Sequence, residues 1–587
     1  MSNLNSDNKR SNIEEMVEME LRPHRGEMKK RCNGILCHIS SLPSPFGIGV
    51  FGEELIDFCS RLADSEVSYL QILPITYPSQ DSPYQSYSAF AGNPWFIDPR
   101  QLVEDRLLLE NELPTFYYSG DEWKVDYDFV RSNSERYLRT AYLRLSKDNI
   151  EEIERFISES FWLEDYALFM TARSKFDNLP FWDWPNDIKL RNTEAMANFK
   201  IQNHHEFMYH CFVQWLFYRQ WSELKQKINA LGIGIFGDIP FYVASDSADI
   251  WSFPEYFMLR DDRKPLLVAG VPPDYFSEDG QLWGNTVYNW QNLKADGYEW
   301  WLRRIASSLR LYDLLRIDHF RGFESYWVVS AEAETARHGA WHKGPAMDLF
   351  NKVREHLGEV NIVAEDLGDI TADVKQFLID SGFPGMKVLQ FAFDKAYQGK
   401  DLPHNYPLNT CAYTGTHDNN TTLGWLYAAS EQERNYALDY CGFENKERWG
   451  EGGLKSPVCR SIIRTLWSSV ARMTVIPLQD LCGFGEDTRM NVPGIANGMW
   501  QIRFPKDVIA NIDYAWLKSM NLIYQRNTDY RLVYVDMADT ADEEEELGLD
   551  STLTSVDIIE SCEIKDPIDE EIRAENKLDE SLATDSQ

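Results

Sequence analysis

Leu314-Leu315-Arg316-Ile317-Asp318-His319-Phe320-Arg321-Gly322 joins a short apolar run to a cluster of polar side chains. The run has no clean alternation of polar and apolar residues, as expected of a parallel strand buried on both faces. Working outward, seven more runs of this kind are bounded by Gly, Pro and Asp. Upstream lie Gly34-Ile-Leu-Cys-His-Ile-Ser, Tyr69-Leu-Gln-Ile-Leu-Pro-Ile and Gly232-Ile-Gly-Ile-Phe-Gly-Asp-Ile-Pro. Downstream come runs starting at Asn361 (NIVAEDLG), Met386 (MKVLQFAF), Ala412 (AYTGTHD) and Arg472 (RMTVIPLQDL). Helical patterns separate most of them, including Glu206 to Ala230, which Gly232 closes. Eight buried strands interleaved with helices predict an α/β fold, a (β/α)8 TIM barrel with helical insertion subdomains. A doubly wound sheet is the rival arrangement.

The gap of about 155 residues between the second and third runs holds Trp-rich helical text. It predicts a helical insertion at about 100–205, within a catalytic unit spanning 31–530. Residues 1–30 are polar and charged and read as a flexible extension. Residues 531–587 carry 19 acidic and 4 basic side chains and read as an acidic, disordered tail. That tail supplies −15 of the net charge of −35, leaving an ordinary acidic surface elsewhere. The balance argues against a nucleic-acid partner, which requires basic patches. No apolar stretch is long enough to span a bilayer and no leader h-region opens the chain, so no membrane partner is expected. The 9 Cys residues lack metal spacing and suit a reducing, cytoplasmic setting.

Three polar clusters sit at the ends of predicted strands, where the mouth of a barrel collects catalytic groups. In the first, residues two apart on a strand share a side, so Arg316 and Asp318 face together. A cation beside a carboxylate favours its ionised form, which a nucleophile needs. A purely structural Arg–Asp pair fits the same residues. The second cluster, Ala364-Glu365-Asp366-Leu367-Gly368, runs a strand into adjacent carboxylates. A partly desolvated Glu365 can donate a proton, while Asp366 should face away or cap the next helix. An acidic helix start is the plain alternative. The third, Thr414-Gly415-Thr416-His417-Asp418-Asn419-Asn420, places Thr416 and Asp418 on one face. It could serve as a His–Asp relay, a sugar clamp or, least well supported, a metal site. Together the three suit retaining glycoside chemistry, in which one carboxylate attacks the anomeric carbon and another protonates the leaving group. No G-x-S-x-G elbow or phosphate-binding loop is present.

From about Gly34 to about Arg526 the chain resembles the 4-α-glucanotransferases, the amylomaltases or disproportionating enzymes of the α-amylase clan. The resemblance is carried by SSLPSPFGIGVFG, DSPYQSYSAFAGNPWFID, GDIPFYVASDSADIW, GVPPDYFSEDGQLWG, LLRIDHFRGF, VAEDLG, TGTHDNNT and RMNVPG, in family order. It implies a barrel, no metal or organic cofactor, and transfer of a maltooligosaccharyl unit from an α-1,4-glucan donor to glucose or a maltooligosaccharide acceptor. It further implies Asp318 as nucleophile, Glu365 as general acid/base and Asp418 as the carboxylate stabilising the distorted ring. Arg316, His319, His417 and Asp238 would contact sugar near the cleaved bond. Ser82, Tyr84, Asp274, Tyr275 and Trp283 would line the donor and acceptor subsites, with the loop at about 267–290 as cover. Thr286, where Pro commonly stands, should loosen that loop's turn. Met499 replaces the more usual Asn of the late block, which should remove one polar contact. A hydrolase of the same clan would share these carboxylates and differ in letting water attack. A silent glucan-binding protein would need none of the three.

Overall fold

The computed structural model describes residues 31–273, 278–368, 370–394, 399–495 and 497–527. Every one of the eight apolar runs overlaps a strand of one parallel sheet. The strands are β1 (Cys32–Leu36), β2 (Tyr69–Gln71), β3 (Gly234–Ile239), β6 (Leu314–Ile317), β9 (Ile362–Ala364), β10 (Gly385–Val388), β11 (Thr410–Tyr413) and β12 (Met473–Pro477). Their order, β10-β11-β12-β1-β2-β3-β6-β9, follows the chain around a ring. At the seam between β9 and β10, the Ala364 N–H donates to the Pro384 carbonyl at 2.9 Å. The sheet is therefore a nearly closed barrel flanked by helices, the architecture expected from chain-order parallel strands.

The connecting helices begin and end where local chemistry predicts. Thr371 and Ser456 cap Ala372–Ser381 and Pro457–Ser468 with side-chain oxygens, and Pro457 fills the first helical position. The helix His204–Ala230 stops before Gly232, whose φ of +87° suits glycine at that position. Between β2 and β3 the chain forms Tyr127–Tyr142, Lys147–Glu159, Leu163–Lys175 and Thr193–Gln202 before that long helix. Between β10 and β11 the described residues form only short 3-10 turns, Leu389–Phe393 and Pro403–Asn405. The proposed extension at 1–30 and the tail at 531–587 lie outside the described residues.

A second sheet went unread in the sequence. It is antiparallel, in the order β5-β4-β7-β8, and consists of β4 (Leu267–Val271), β5 (Gln281–Thr286), β7 (Ser325–Ser330) and β8 (Gly339–Lys343). It rises from the loops that follow β3 and β6, and so stands beside the barrel mouth. Two of the nearby Trp side chains are core: Trp300 and Trp301 are buried, and Trp301 packs against Phe241, Tyr288 and Phe323. Thr286 does not loosen a turn. It ends β5 fully buried, and its N–H donates to the Ser245 hydroxyl at 2.9 Å. A β-branched residue suits that extended, paired position.

Candidate active site

The strand ends of β3, β6, β9 and β11 converge on one carboxylate cluster. Asp238 on β3 lies directly opposite Arg316 on β6 in the sheet register. The Arg316 guanidinium uses its two arms on two acids. Nη1 donates to Asp238 Oδ2 at 2.5 Å and Nη2 to Asp318 Oδ1 at 2.8 Å. Tyr84 adds a second donor to the same Asp238 oxygen, OH to Oδ2 at 2.7 Å. Asp238 and Arg316 are buried, whereas the Asp318 side chain is 30% exposed at the cleft. The sharing expected of Arg316 and Asp318 is present, with Asp238 as an additional partner. The Asp238 Oδ1 atom is buried without a hydrogen-bond partner.

Past Asp318 the backbone turns sharply. His319 adopts φ +48°, in the left-handed region that non-glycine residues rarely enter. The turn aims its N–H at Glu365 Oε2, 2.7 Å away, while the Leu367 N–H donates to Oε1 at 2.8 Å. The Glu365 and Phe320 amides extend the strand pairing, donating to the Ile317 and Glu365 carbonyls at 3.1 and 3.0 Å. Asp366 faces away as expected. Its carboxylate accepts from the Met386 N–H on β10 at 2.6 Å, while Thr371 caps the following helix.

Asp418 lies five residues beyond the last residue of β11, Tyr413, so strand alternation does not apply to it. A turn does the work: Asn419 Oδ1 accepts from the Thr416 N–H at 2.9 Å, and the Asp418 N–H reaches the Thr416 hydroxyl at 3.3 Å. Two residues of the late RMNVPG block hold Asp418 in place. Asn491 Nδ2 donates to its Oδ1 at 2.7 Å, and Arg489 Nη2 donates to its carbonyl at 2.6 Å. Sequence reading quoted that block without giving either residue a contact. The His417 ring stacks on Tyr84, with centroids 5.2 Å apart and planes 15° apart. The Ser82 hydroxyl accepts from the Tyr84 N–H at 3.3 Å. Trp283 on β5 meets His319 edge-on at 4.9 Å. Asp274 and Tyr275 lie outside the described residues.

Burial dominates the electrostatics. It pushes Asp318 above the usual carboxylate range; Arg316 opposes the shift, and the charges of Glu365, Asp238 and Asp418 add to it. Glu365 is also raised by burial, against the pull of Arg316 and of its two backbone donors. Arg316 therefore limits the protonation of Asp318 without reversing the effect of burial. His319 is pushed down to about 3 by burial, and His417 is lowered by burial against the opposing charge of Asp418. Both rings therefore favour the neutral form near pH 7. Among the described residues, no group of His, Cys, Asp or Glu side chains is arranged to hold a metal ion.

A barrel whose strand ends gather acidic, aromatic and imidazole side chains fits the class of barrel enzymes acting on glycosidic bonds. Comparison with known proteins makes the assignment specific. Residues 37–508 match the profile of glycoside hydrolase family 77, described as 4-alpha-glucanotransferase, and the chain belongs to that family. The 4-alpha-glucanotransferase of Clostridium butyricum is 43% identical over 478 residues, covering 81% of this chain and 96% of that protein. The Thermus thermophilus 4-alpha-glucanotransferase is 44% identical over 482 residues, covering 81% and 94%. The solved amylomaltase of Streptococcus agalactiae in complex with acarbose superposes with a TM-score of 0.81 at 38% identity, covering 85% of this chain and all of that one. The chain is accordingly a transferase acting on α-glucans.

Proposed function

We propose that the transfer is a double displacement through a glycosyl ester on Asp318. An Asp318 carboxylate oxygen attacks the anomeric carbon, the glycosidic C–O bond breaks, and the Glu365 proton passes to the departing oxygen. The 4-hydroxyl of an acceptor glucose or maltooligosaccharide then attacks the same carbon. Its proton returns to Glu365, and Asp318 leaves as carboxylate.

The observation that carries this reading is the His319 N–H bond to Glu365. That nitrogen is two covalent bonds from the Asp318 Cα, so Glu365 Oε2 lies within about 6 Å of it. Such closeness suits the roughly 5–5.5 Å carboxyl separation of retaining enzymes. Two acids this close repel one another, so they share the first proton as a pair. Arg316 bonds Asp318 directly, which supports keeping the negative charge there and the proton on Glu365.

Asp418, fixed by Asn491 and Arg489, is assigned to neighbouring sugar hydroxyls and the distorted ring, with neutral His319 and His417 beside it. Arg316 and Asp238 orient Asp318 and bind near the cleaved bond. Tyr84 and Trp283 provide ring faces for sugar, with Ser82 bonded to the Tyr84 backbone, and Asp274 and Tyr275, outside the described residues, are assigned to the same subsites from the sequence. The solved relative with bound acarbose supports an oligosaccharide in this cleft. The 8 described cysteines are buried free thiols, which suits a reducing, cytoplasmic compartment.

Incubation with pure maltotriose tests the reaction. Transfer gives glucose plus a ladder of longer α-1,4 products, with the α configuration retained by NMR. Glucose and maltose without a ladder would mean that water outcompetes the sugar acceptor.

A further inference from the structure

Trp500 adopts φ +66°. A bulky side chain in that region is an outlier that persists only when its surroundings enforce it, and such residues cluster at working sites. Here both of its peptide groups are fixed. Its N–H donates to the Met490 carbonyl at 2.8 Å, and its carbonyl accepts from the buried Tyr127 hydroxyl at 2.6 Å. The enforced conformation lays the Trp500 ring against Tyr84 and His417, at 5.7 and 5.8 Å, where those two rings stack on each other.

The residues on either side of Trp500 bind different parts of the molecule. Before it, the Asn491 N–H donates to the His417 carbonyl at 3.1 Å, and Asn491 and Arg489 grip Asp418. After it, the chain pairs with the entry to the helical insertion. The Val125 N–H donates to the Gln501 carbonyl at 2.8 Å, and the Arg503 N–H donates to the Trp123 carbonyl at 2.9 Å. Tyr127 begins the helix Tyr127–Tyr142 immediately beyond that pairing. Residues 489–495 and 497–503 thus form the two arms of a strap, one bonded to the loop of Asp418 and the other to the insertion between β2 and β3.

We infer that Tyr127 and Trp500 are positioning residues for the transfer reaction, acting through the strap on Tyr84, His417 and Asp418. The Tyr127 hydroxyl holds the Trp500 peptide in its left-handed state. The Trp500 ring then fixes the Tyr84 ring, whose hydroxyl must reach Asp238, and the His417 ring next to Asp418. On this account the insertion is part of the catalytic machinery, although its own residues need not touch the reacting atoms. The inference rests on the roles proposed above for Asp238 and Asp418. Burial raises the Tyr127 phenol well above its ordinary range, so it remains a donor throughout the working pH range.

Tyr127→Phe removes one oxygen and keeps the ring. With maltotriose, kcat should fall about tenfold while KM stays within twofold, because small misplacement of catalytic groups costs the transition state more than the bound ground state. Trp500→Phe, which keeps an aromatic ring, should show the same split and preserves the test if Tyr127→Phe does not fold. The Tyr127→Phe/Trp500→Phe double variant should lose less than the product of the two single losses, since both act through one device. A purely structural role would lower the melting temperature and leave kcat and KM unchanged below it. That result, or fully multiplicative losses, overturns the inference. Retained activity in Asp318→Asn would instead overturn the assignment of the reaction, so the two failures are distinguishable.

Discussion

The backbone N–H of His319 lies 2.7 Å from Oε2 of Glu365, and His319 takes a left-handed conformation to put it there. One peptide group thus links the residue after Asp318 to the second carboxylate. The strain of such a conformation, of order 1–3 kcal/mol, is borne where it registers two acids against each other. The consequences can be tested residue by residue.

Arg316 bonds both Asp238 and Asp318, through separate arms of its fork. Lysine offers a point charge and cannot reproduce that geometry. Arg316→Lys should lower kcat/KM at least a hundredfold with maltotriose. Arg316→Met, which takes the cation from two acids, should destabilise the fold by about 3–5 kcal/mol in urea titrations. An active Lys variant would show that the fork is dispensable.

Asp318→Asn should abolish transfer yet stabilise the protein. Because burial raises the folded-state carboxyl above its ordinary value of 3.8, ionising it works against folding as pH rises. The Asn variant should match the parent in melting temperature below about pH 4. Its advantage should grow through the raised range and level off above it, at about 1 kcal/mol. A variant less stable than the parent at pH 8 contradicts this electrostatic picture.

Tyr84→Phe keeps the stack on His417 and deletes one charge-assisted hydrogen bond to Asp238. Such bonds contribute about 1.5–3 kcal/mol. The expected outcome is a fall in kcat/KM of roughly ten- to a hundredfold. No loss in steady-state assays would place Asp238 outside the reaction.

Trp283 closes on His319 from the small sheet beside the barrel mouth. Trp283→Ala should weaken acceptor binding and give water more access to the intermediate. The ratio of hydrolysis to transfer should rise several-fold, with KM for a glucose acceptor raised as well. Chromatography of the maltotriose products reads both, and an unchanged ratio would remove Trp283 from the acceptor site.

The barrel was legible because its strands are buried on both faces, which forces continuous apolar runs ending in polar residues. Asp318 and Glu365 stand at such ends and were found there. The small antiparallel sheet was not read, because β8 is exposed throughout and gives no apolar signal. Strand alternation also misled at Thr416 and Asp418, since β11 has already ended at Tyr413 and a turn positions both. The grip of Arg489 and Asn491 on Asp418, and of Tyr127 on Trp500, joins residues far apart along the chain. Only the closed fold brings those pairs together, so local pattern carried no sign of them.

The proposed covalent ester on Asp318 can be tested directly. In the Glu365→Gln variant, an α-maltosyl fluoride can still glycosylate the enzyme because fluoride departs without a proton, while transfer onward lacks its base. Mass spectrometry of the digested protein should then find the maltosyl mass on the peptide containing Asp318, and no such adduct in the Asp318→Asn/Glu365→Gln double variant. A maltosyl group on a different residue, or turnover to products of inverted configuration with no adduct, would contradict the double displacement.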